Sequence, residues 1–323
     1  MQVAICEALT TFRPPRNALS MPSSVSPTTL LVTGGSGGLG RTLIDRWSTK
    51  YRCVAPARRE LDLAYPEQLE GQLESTQFDI LVNCAAIARP DECEPNPELS
   101  ERVNAKSPAV LAKVAAGRGA RMVQISTDFV FEGSSPSARN EEDAANPLSV
   151  YGKTKRAAEI AVLNHCPDSL VARVSWLFGS HKPSHPDHVI TQASKQSTLT
   201  AIHDKWSIPT FSDDLADWLE ALIFHPENPS GIYHLAPKGE ASWFDWTQAT
   251  LEIASELELP LHCTEIRPIT LRDFPGFKAP RPQYSALSHA KFSALTGIVP
   301  EHWRPRLACY LTQHYGEQNA SSP

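Results

Sequence analysis

"TTLLVTGGSGGLGRTL", Thr28 to Leu43, decides the fold. A short run of apolar, β-type residues ends in glycines, and "RTLIDRWSTK" follows with a helical pattern. That order predicts a buried strand, a tight turn and a helix. Gly34, Gly37 and Gly40 stand three apart, and Gly35, Gly37 and Gly40 also satisfy G-x-G-x-x-G. Glycines serve the tight turn, close approach of backbone to a pyrophosphate, and packing of the helix on the sheet. Free N–H groups at the helix start then face the phosphates. Set between a strand and a helix, the pattern predicts dinucleotide binding rather than a plain glycine-rich turn.

Working outward, "YRCVAPA", "FDILVNCAA", "ARMVQISTDFVF", "DSLVARVSWLFG" and "GIYHLA" read as further strands. "PEQLEGQLEST", the long "NPELSERVNAKSPAVLAKVAAGRG" and the amphipathic "FSDDLADWLEALIF" read as helices. Strands alternating with helices predict an α/β fold with a Rossmann-type, doubly wound parallel sheet. The dinucleotide-binding domain is expected at 28–179 plus about 207–236. The His- and Pro-rich stretch at about 180–206, with 237–323, is expected to form a smaller C-terminal substrate-binding lobe over the carboxyl edge of the sheet. The tail from Pro268 shows no strong strand run. Residues 1–27 are rich in Ser, Thr and Pro, and Glu7 interrupts any apolar stretch, so no secretory signal is read there. A flexible extension is expected, with organellar transit as the alternative and Met21 as an alternative start.

Hydrophobic residues make up 41% of the 323 and charged residues 20%, as in an ordinary globular protein. A net charge of −6 argues against nucleic acid or an anionic membrane as the main partner, and no apolar run approaches a membrane span. The seven cysteines are scattered without a C-x-x-C pair, which predicts reduced thiols in a cytoplasmic compartment.

In "VYGKTKRAAE", Tyr151 and Lys155 share one helix face at i and i+4. A nearby fixed cation favours phenolate and would bring a phenol's pKa of about 10 toward neutrality. That pair suits proton donation to a developing alkoxide. The strand end "ISTDFVF" offers Ser126, Thr127 and Asp128 where ligands bind in such folds. After the second strand, where an NAD site would offer an acid, stand Arg58 and Arg59. A guanidinium suits a 2′-phosphate, which favours NADPH over NADH; solvated surface arginines are the alternative.

Taken together, "TGGSGGLG", "LVNCAA", "VNAKSP", "ISTDFVFEG", "NPLSVYGKTKRAAE", "RVSWLFG", "GIYHLA" and "RPQYSALSHAKFSALTGI" resemble, in order over about residues 29–310, an extended short-chain dehydrogenase/reductase of the dTDP-4-dehydrorhamnose reductase family. The resemblance implies an NADPH-dependent reductase of a carbonyl, the 4-keto group of a nucleotide-linked deoxysugar. It places the family's catalytic residues on Thr127, Tyr151 and Lys155. The expected cofactor set is Gly34, Gly37, Gly38, Leu39 and Gly40; Arg58, Arg59, Asp62 and Leu63; Cys84, Ala85, Ala86 and Asn104; and Ser126 with Tyr151 and Lys155, with Ala85, Ala86 and Asn104 resting on the resemblance. On the substrate side Asp128, Phe129, Trp176 and Arg281 are expected, Asp128 and Trp176 by the resemblance. No metal ligand, nucleic-acid partner or membrane is implied, and a homodimer is compatible with it.

The chain departs from the family at Phe129, where a Tyr is usual, and at "DKWSIPT" (Asp204–Thr210), where D-Q-x-G-x-P-T is usual. "ARPDE" and "DKW" lean toward the regulatory β subunit of methionine adenosyltransferase, a sister group. A nucleotide-binding regulatory subunit without turnover is therefore the rival, and a reductase or epimerase of a non-sugar metabolite is a third reading. His181, His185 and His188 read as a polar loop near the substrate mouth, with metal binding as the alternative. Trp243, Phe244 and Trp246 read as lobe packing, with stacking on a base as the alternative. Arg281 suits a diphosphate or a structural salt bridge equally, and Asp213 and Asp214 read as a helix start.

Overall fold

Leu30, Leu31 and Val32 are all fully buried, because a central parallel strand is covered on both faces. The structure is a computed structural model that describes residues 27–319. The expected N-terminal extension, apart from Pro27, lies outside the described residues. Strands β1 (Thr29–Thr33), β2 (Arg52–Val54), β3 (Ile80–Asn83), β4 (Arg121–Thr127), β5 (Leu170–Val174) and β6 (Gly231–His234) form one parallel sheet in the order β2-β1-β3-β4-β5-β6. The direction of winding reverses between β1 and β3, and the crevice outside the carboxyl ends there is the expected ligand site.

The main helices are α1 (Gly38–Trp47), α2 (Ser107–Gly117), α3 (Val150–His165), α4 (Ser212–Ile223), α5 (Trp243–Glu256) and α6 (Trp303–Asn319). Alternation along β1 sends Leu30 and Val32 to one face, against Leu43 of α1 and Leu215 and Leu219 of α4. Leu31 goes to the other face, against Leu111 of α2 and Val162 of α3. A further core joins Phe178, Phe211, Trp246, Trp303, Leu307 and Tyr310 in the C-terminal lobe.

Four features differ from the sequence expectations. The long helix over 96–119 is broken: Pro97–Glu101 and α2 flank a π-helical turn at Arg102–Lys106, where Ser107 N–H donates to Arg102 O. Pro108 has no N–H to donate to Asn104 O, which removes one bond of a regular helix there. The expected strand through "RVSWLFG" leaves the sheet after Val174. Trp176 takes φ +41°, and Leu177–Phe178 pairs with Thr210–Phe211 instead. Glu265–Ile269, at the start of the tail, pairs in parallel with Thr198–Ile202. Its exposed pattern and Pro268 hid it. Finally, Ala290–Thr296, expected in the lobe, packs through Phe292 beside Trp218 on the sheet's own core.

Candidate active site

The glycine loop closes on itself. Gly37 N–H donates to Gly34 O at 2.8 Å, and α1 starts at Gly38. Gly34 has φ +69°, and a Cβ on it would lie 2.8 Å from Ala85 N. A Cβ on Gly40 would lie 2.4 Å from Gly34 O. Neither position accepts a side chain, so bare backbone faces the crevice.

Two adjoining cavities of about 880 and 1010 Å³ meet at this loop and share Gly37, Arg58, Cys84, Ala86 and Lys182 in their walls. Gly34, Ala85, Asp62 and Leu63 line the larger. Gly38, Leu39, Gly40 and Ser126 line the smaller, as do Thr127, Asp128, Phe129, Tyr151, Lys155, Trp176 and Arg281. The structure therefore gathers the expected residues with two exceptions. Arg59, with its side chain 86% exposed beside Glu60, lines neither cavity. Nor does Asn104, which sits behind the wall. Its Oδ1 accepts from Ile87 N at 2.8 Å, its Nδ2 donates to Ile87 O at 3.0 Å, and it reaches Thr154 Oγ1 at 3.4 Å. Asn104 thus fixes the segment after β3 to α3.

Ser149 caps α3, its Oγ accepting from Gly152 N–H, and the first turns of α3 bury Tyr151 and Lys155. Lys155 Nζ donates to Ile125 O at 2.5 Å. Burial lowers the pKa of Lys155 to about 8, against the opposing charge of Glu159. Burial likewise pushes the Tyr151 phenol up, although a hydrogen bond with Thr127 acts the other way, and Asp128 and Cys93 add to the rise. The expected lowering of Tyr151 by Lys155 is thus not what this pocket produces: desolvation dominates and the phenol holds its proton. Thr127 Oγ1 donates to Asp128 Oδ1 at 3.1 Å and accepts from Phe129 N at 3.2 Å.

Residues 28–315 match the family model described as the RmlD substrate binding domain. The chain belongs to this family. It is 33% identical over 287 residues to the spore coat polysaccharide biosynthesis protein SpsK of Bacillus subtilis, covering 88% of this chain and 98% of that one. It is 31% identical over 258 residues to the dTDP-4-dehydrorhamnose reductase of Salmonella typhimurium, covering 79% and 86%. The solved dTDP-4-dehydrorhamnose reductase of Bacillus anthracis, in complex with NADP, superposes with a TM-score of 0.83 at 25% identity, covering 89% of this chain and 100% of that one.

On the substrate side of this RmlD-type chain, Arg281 is committed to a neighbour. It forms a two-pronged pair with Asp91, whose Oδ1 also accepts from Lys278 and Ala279 N–H. The pair ties the C-terminal lobe to Pro90–Cys93. Asp91's carboxyl is held down to about 2, burial being outweighed by Arg281 and the two backbone donors. Trp176 stacks on Trp246 at 5.4 Å and 9°, and Trp243 also lines the cavity, so these tryptophans do more than pack the lobe. The histidines part company. His181 contacts Asp45 of α1, while Ser184 caps a helix His185–Ala193 that places His185 against Trp246 at 4.5 Å. No cluster of three metal-ligating side chains occurs among the described residues.

Sequence reasoning missed a buried relay behind the site. Glu159 of α3 accepts from Ser126 Oγ at 2.6 Å and pairs in two-pronged fashion with Arg173 of β5 at 2.8 Å. Glu159 stands eight residues after Tyr151 on the same helix face, which is the signal that could have found it.

Proposed function

We propose that this chain is an NADPH-dependent reductase of the 4-keto group of a nucleotide-linked 6-deoxysugar. The observation that carries the proposal is the burial of Thr127, Tyr151 and Lys155 together in the cavity that adjoins the glycine loop. Relatives named for the reduction of dTDP-4-dehydrorhamnose and of dTDP-4-keto-6-deoxy-D-glucose support the substrate class.

The residues fit a dinucleotide: the loop has no side chain to block approach at Gly34 or Gly40, and the N–H groups at the start of α1 are available to a diphosphate. When bound, NADPH supplies the hydride that the carbonyl carbon takes up. Tyr151 then gives its phenolic proton to the carbonyl oxygen, and Thr127 shares that oxygen through its hydroxyl. Lys155 would hold the nicotinamide ribose and brings a positive charge to the same cavity. Asn104 and Glu159 hold these groups in place.

Arg58 lines both cavities, and the nearby Asp62 accepts from its Nε at 3.4 Å and from Ala64 N. The carboxylate is thus engaged by Arg58 Nε, and the terminal guanidinium nitrogens are left to meet a 2′-phosphate. Calorimetric titration should show NADPH bound more tightly than NADH by roughly 1–3 kcal/mol. Arg58→Ala should remove most of that preference, and Arg59→Ala little of it. Equal affinities in the wild type would reject the role.

The functional test is oxidation of NADPH by the purified chain with dTDP-4-dehydrorhamnose. Steady turnover supports the enzyme. Tight NADPH binding with no turnover would instead favour the nucleotide-binding regulatory subunit. The same proposal places the enzyme in the cytoplasm, supported by the reduced thiols of Cys53, Cys84, Cys93, Cys166 and Cys263. A homodimer is its expected assembly, to be checked by sedimentation velocity.

A further inference from the structure

One buried charge plays no part in this chemistry. Lys205 has no exposed surface, although it sits in the turn between Thr198–Ile202 and Trp206–Ser207. Its Nζ donates to Pro282 O at 2.9 Å. It lies 5.4 Å from the centre of the Phe129 ring and 5.3 Å from that of Trp176, both within cation–π range. Those two rings line the substrate-side cavity, and Lys205 itself does not. Burying an ammonium is costly, and an apolar side chain of the same length would fill the space without that cost.

The surroundings show what the charge acts on. Trp176 takes a positive φ, which a bulky residue holds only when its neighbours impose it. Trp246 stacks on the Trp176 ring, and Lys205 also contacts it. Phe129 meets Tyr151 edge-on at 5.6 Å, so its placement bears on the proton donor. Asp128, also buried, faces Lys205 without a direct ion pair among the described residues, and accepts instead from Ser207 at 2.9 Å, Ser285 at 2.6 Å and Thr127 at 3.1 Å. Arg281 adds a second positive charge nearby, already paired with Asp91.

We infer that Lys205 is a positioning residue of the substrate subsite: its charge fixes the Phe129 and Trp176 rings and projects a positive potential through them onto the sugar nucleotide. The inference rests on the proposed substrate class. Affinity for the sugar nucleotide should therefore depend on the Lys205 charge, and affinity for the dinucleotide should not.

The charge is lost within reach of experiment, because burial lowers the pKa of Lys205 to about 8, Asp128 opposing and Arg281 assisting. The ammonium is present below that pH and gone above it. Binding of dTDP-4-dehydrorhamnose is measured on the full chain saturated with NADP+, where no reduction competes. Wild-type affinity should weaken roughly ten-fold or more as pH rises from about 7 to 9.5. Lys205→Met and Lys205→Gln should weaken binding at neutral pH by about ten-fold, abolish the pH step, and leave NADP+ affinity near wild type. In turnover, KM should rise far more than kcat falls, whereas a merely structural role would lower melting temperature with no such split. Unchanged affinity in a folded Lys205→Met or Lys205→Gln, or a flat wild-type pH series, overturns the inference; because Lys155 also titrates near 8, Lys155→Met is run beside them and should keep the pH step in sugar-nucleotide affinity, and loss of the step there overturns the inference too. Binding without turnover would count against the proposed reaction and leave this dependence standing, and failure of the wild type to bind the sugar nucleotide would overturn both.

Discussion

Tyr151→Phe should keep NADPH affinity near wild type and lower turnover of a 4-keto sugar nucleotide by about 10²–10⁴-fold, the worth of a positioned acid. The substitution removes one oxygen from a side chain that is 8% exposed, and the phenyl ring keeps its edge-on contact with Phe129. Burial keeps the phenol protonated, so at neutral pH the loss should read as a missing donor and not as an altered titration. Lys155→Met should fail differently. It deletes the donor to Ile125 O and a charge that titrates near 8, so it should weaken NADPH binding as well as turnover. The ammonium is present below that pH and lost above it. Wild-type kcat should accordingly fall as pH rises through about 8, and the step should be absent in Lys155→Met. Steady-state rates beside NADPH titrations read both variants. Full activity in Tyr151→Phe would remove this tyrosine from the proposed reaction.

The glycine loop and the Tyr–Lys pair are legible because each is local. A left-handed Gly34, a Gly40 packed on Gly34 O, and two side chains one helical turn apart are all written within a few residues. The sheet is legible for a similar reason: strands buried on both faces read as continuous apolar runs. What stayed hidden depends on partners far apart in sequence. Lys205 shows in the sequence only as part of the departure "DKWSIPT", and its burial depends on Phe129, Trp176 and Pro282 closing around it. Arg281 leaves two roles open until Asp91, 190 residues earlier, takes its guanidinium. The parallel pairing of Thr198–Ile202 with Glu265–Ile269 was invisible because the second strand is exposed and contains a proline, which apolar periodicity does not register. The proposed tuning of Tyr151 by Lys155 failed for a related reason: spacing puts two groups on one face, but only the pocket sets how far each is desolvated.

Arg173→Met should destabilise the fold by about 3–5 kcal/mol at neutral pH, because it strands a buried carboxylate. Glu159 is fully buried, and Arg173 is 1% exposed. The carboxylate accepts from Ser126, Arg156 and both prongs of Arg173. Arg173 Nη1 also lies 3.3 Å from His234 Nε2, and burial holds that imidazole's pKa down to about 3, so it is neutral and can accept. Burial alone would raise Glu159; Arg173 first, then Ser126 and Arg156, bring it below its ordinary value. In the wild type this group therefore adds stability above the unfolded carboxyl range of about 4.3 and loses it as pH falls through the folded value. Without Arg173 burial prevails, the folded pKa rises above the unfolded one, and the penalty grows as pH climbs from about 4 toward neutrality. The gap in Tm between wild type and variant should therefore be wide at neutral pH, roughly 4–7 °C for a chain of this size. It should narrow near pH 5. Glu159→Gln added to Arg173→Met should recover part of the loss, since it removes the stranded charge. Ser126 donates to this carboxylate from the strand that carries Thr127, so the same variants should lower turnover even where they remain folded. Thermal unfolding at several pH values beside kcat for the single and double variants checks all of this. A Tm gap independent of pH would show that Arg173 acts by packing alone.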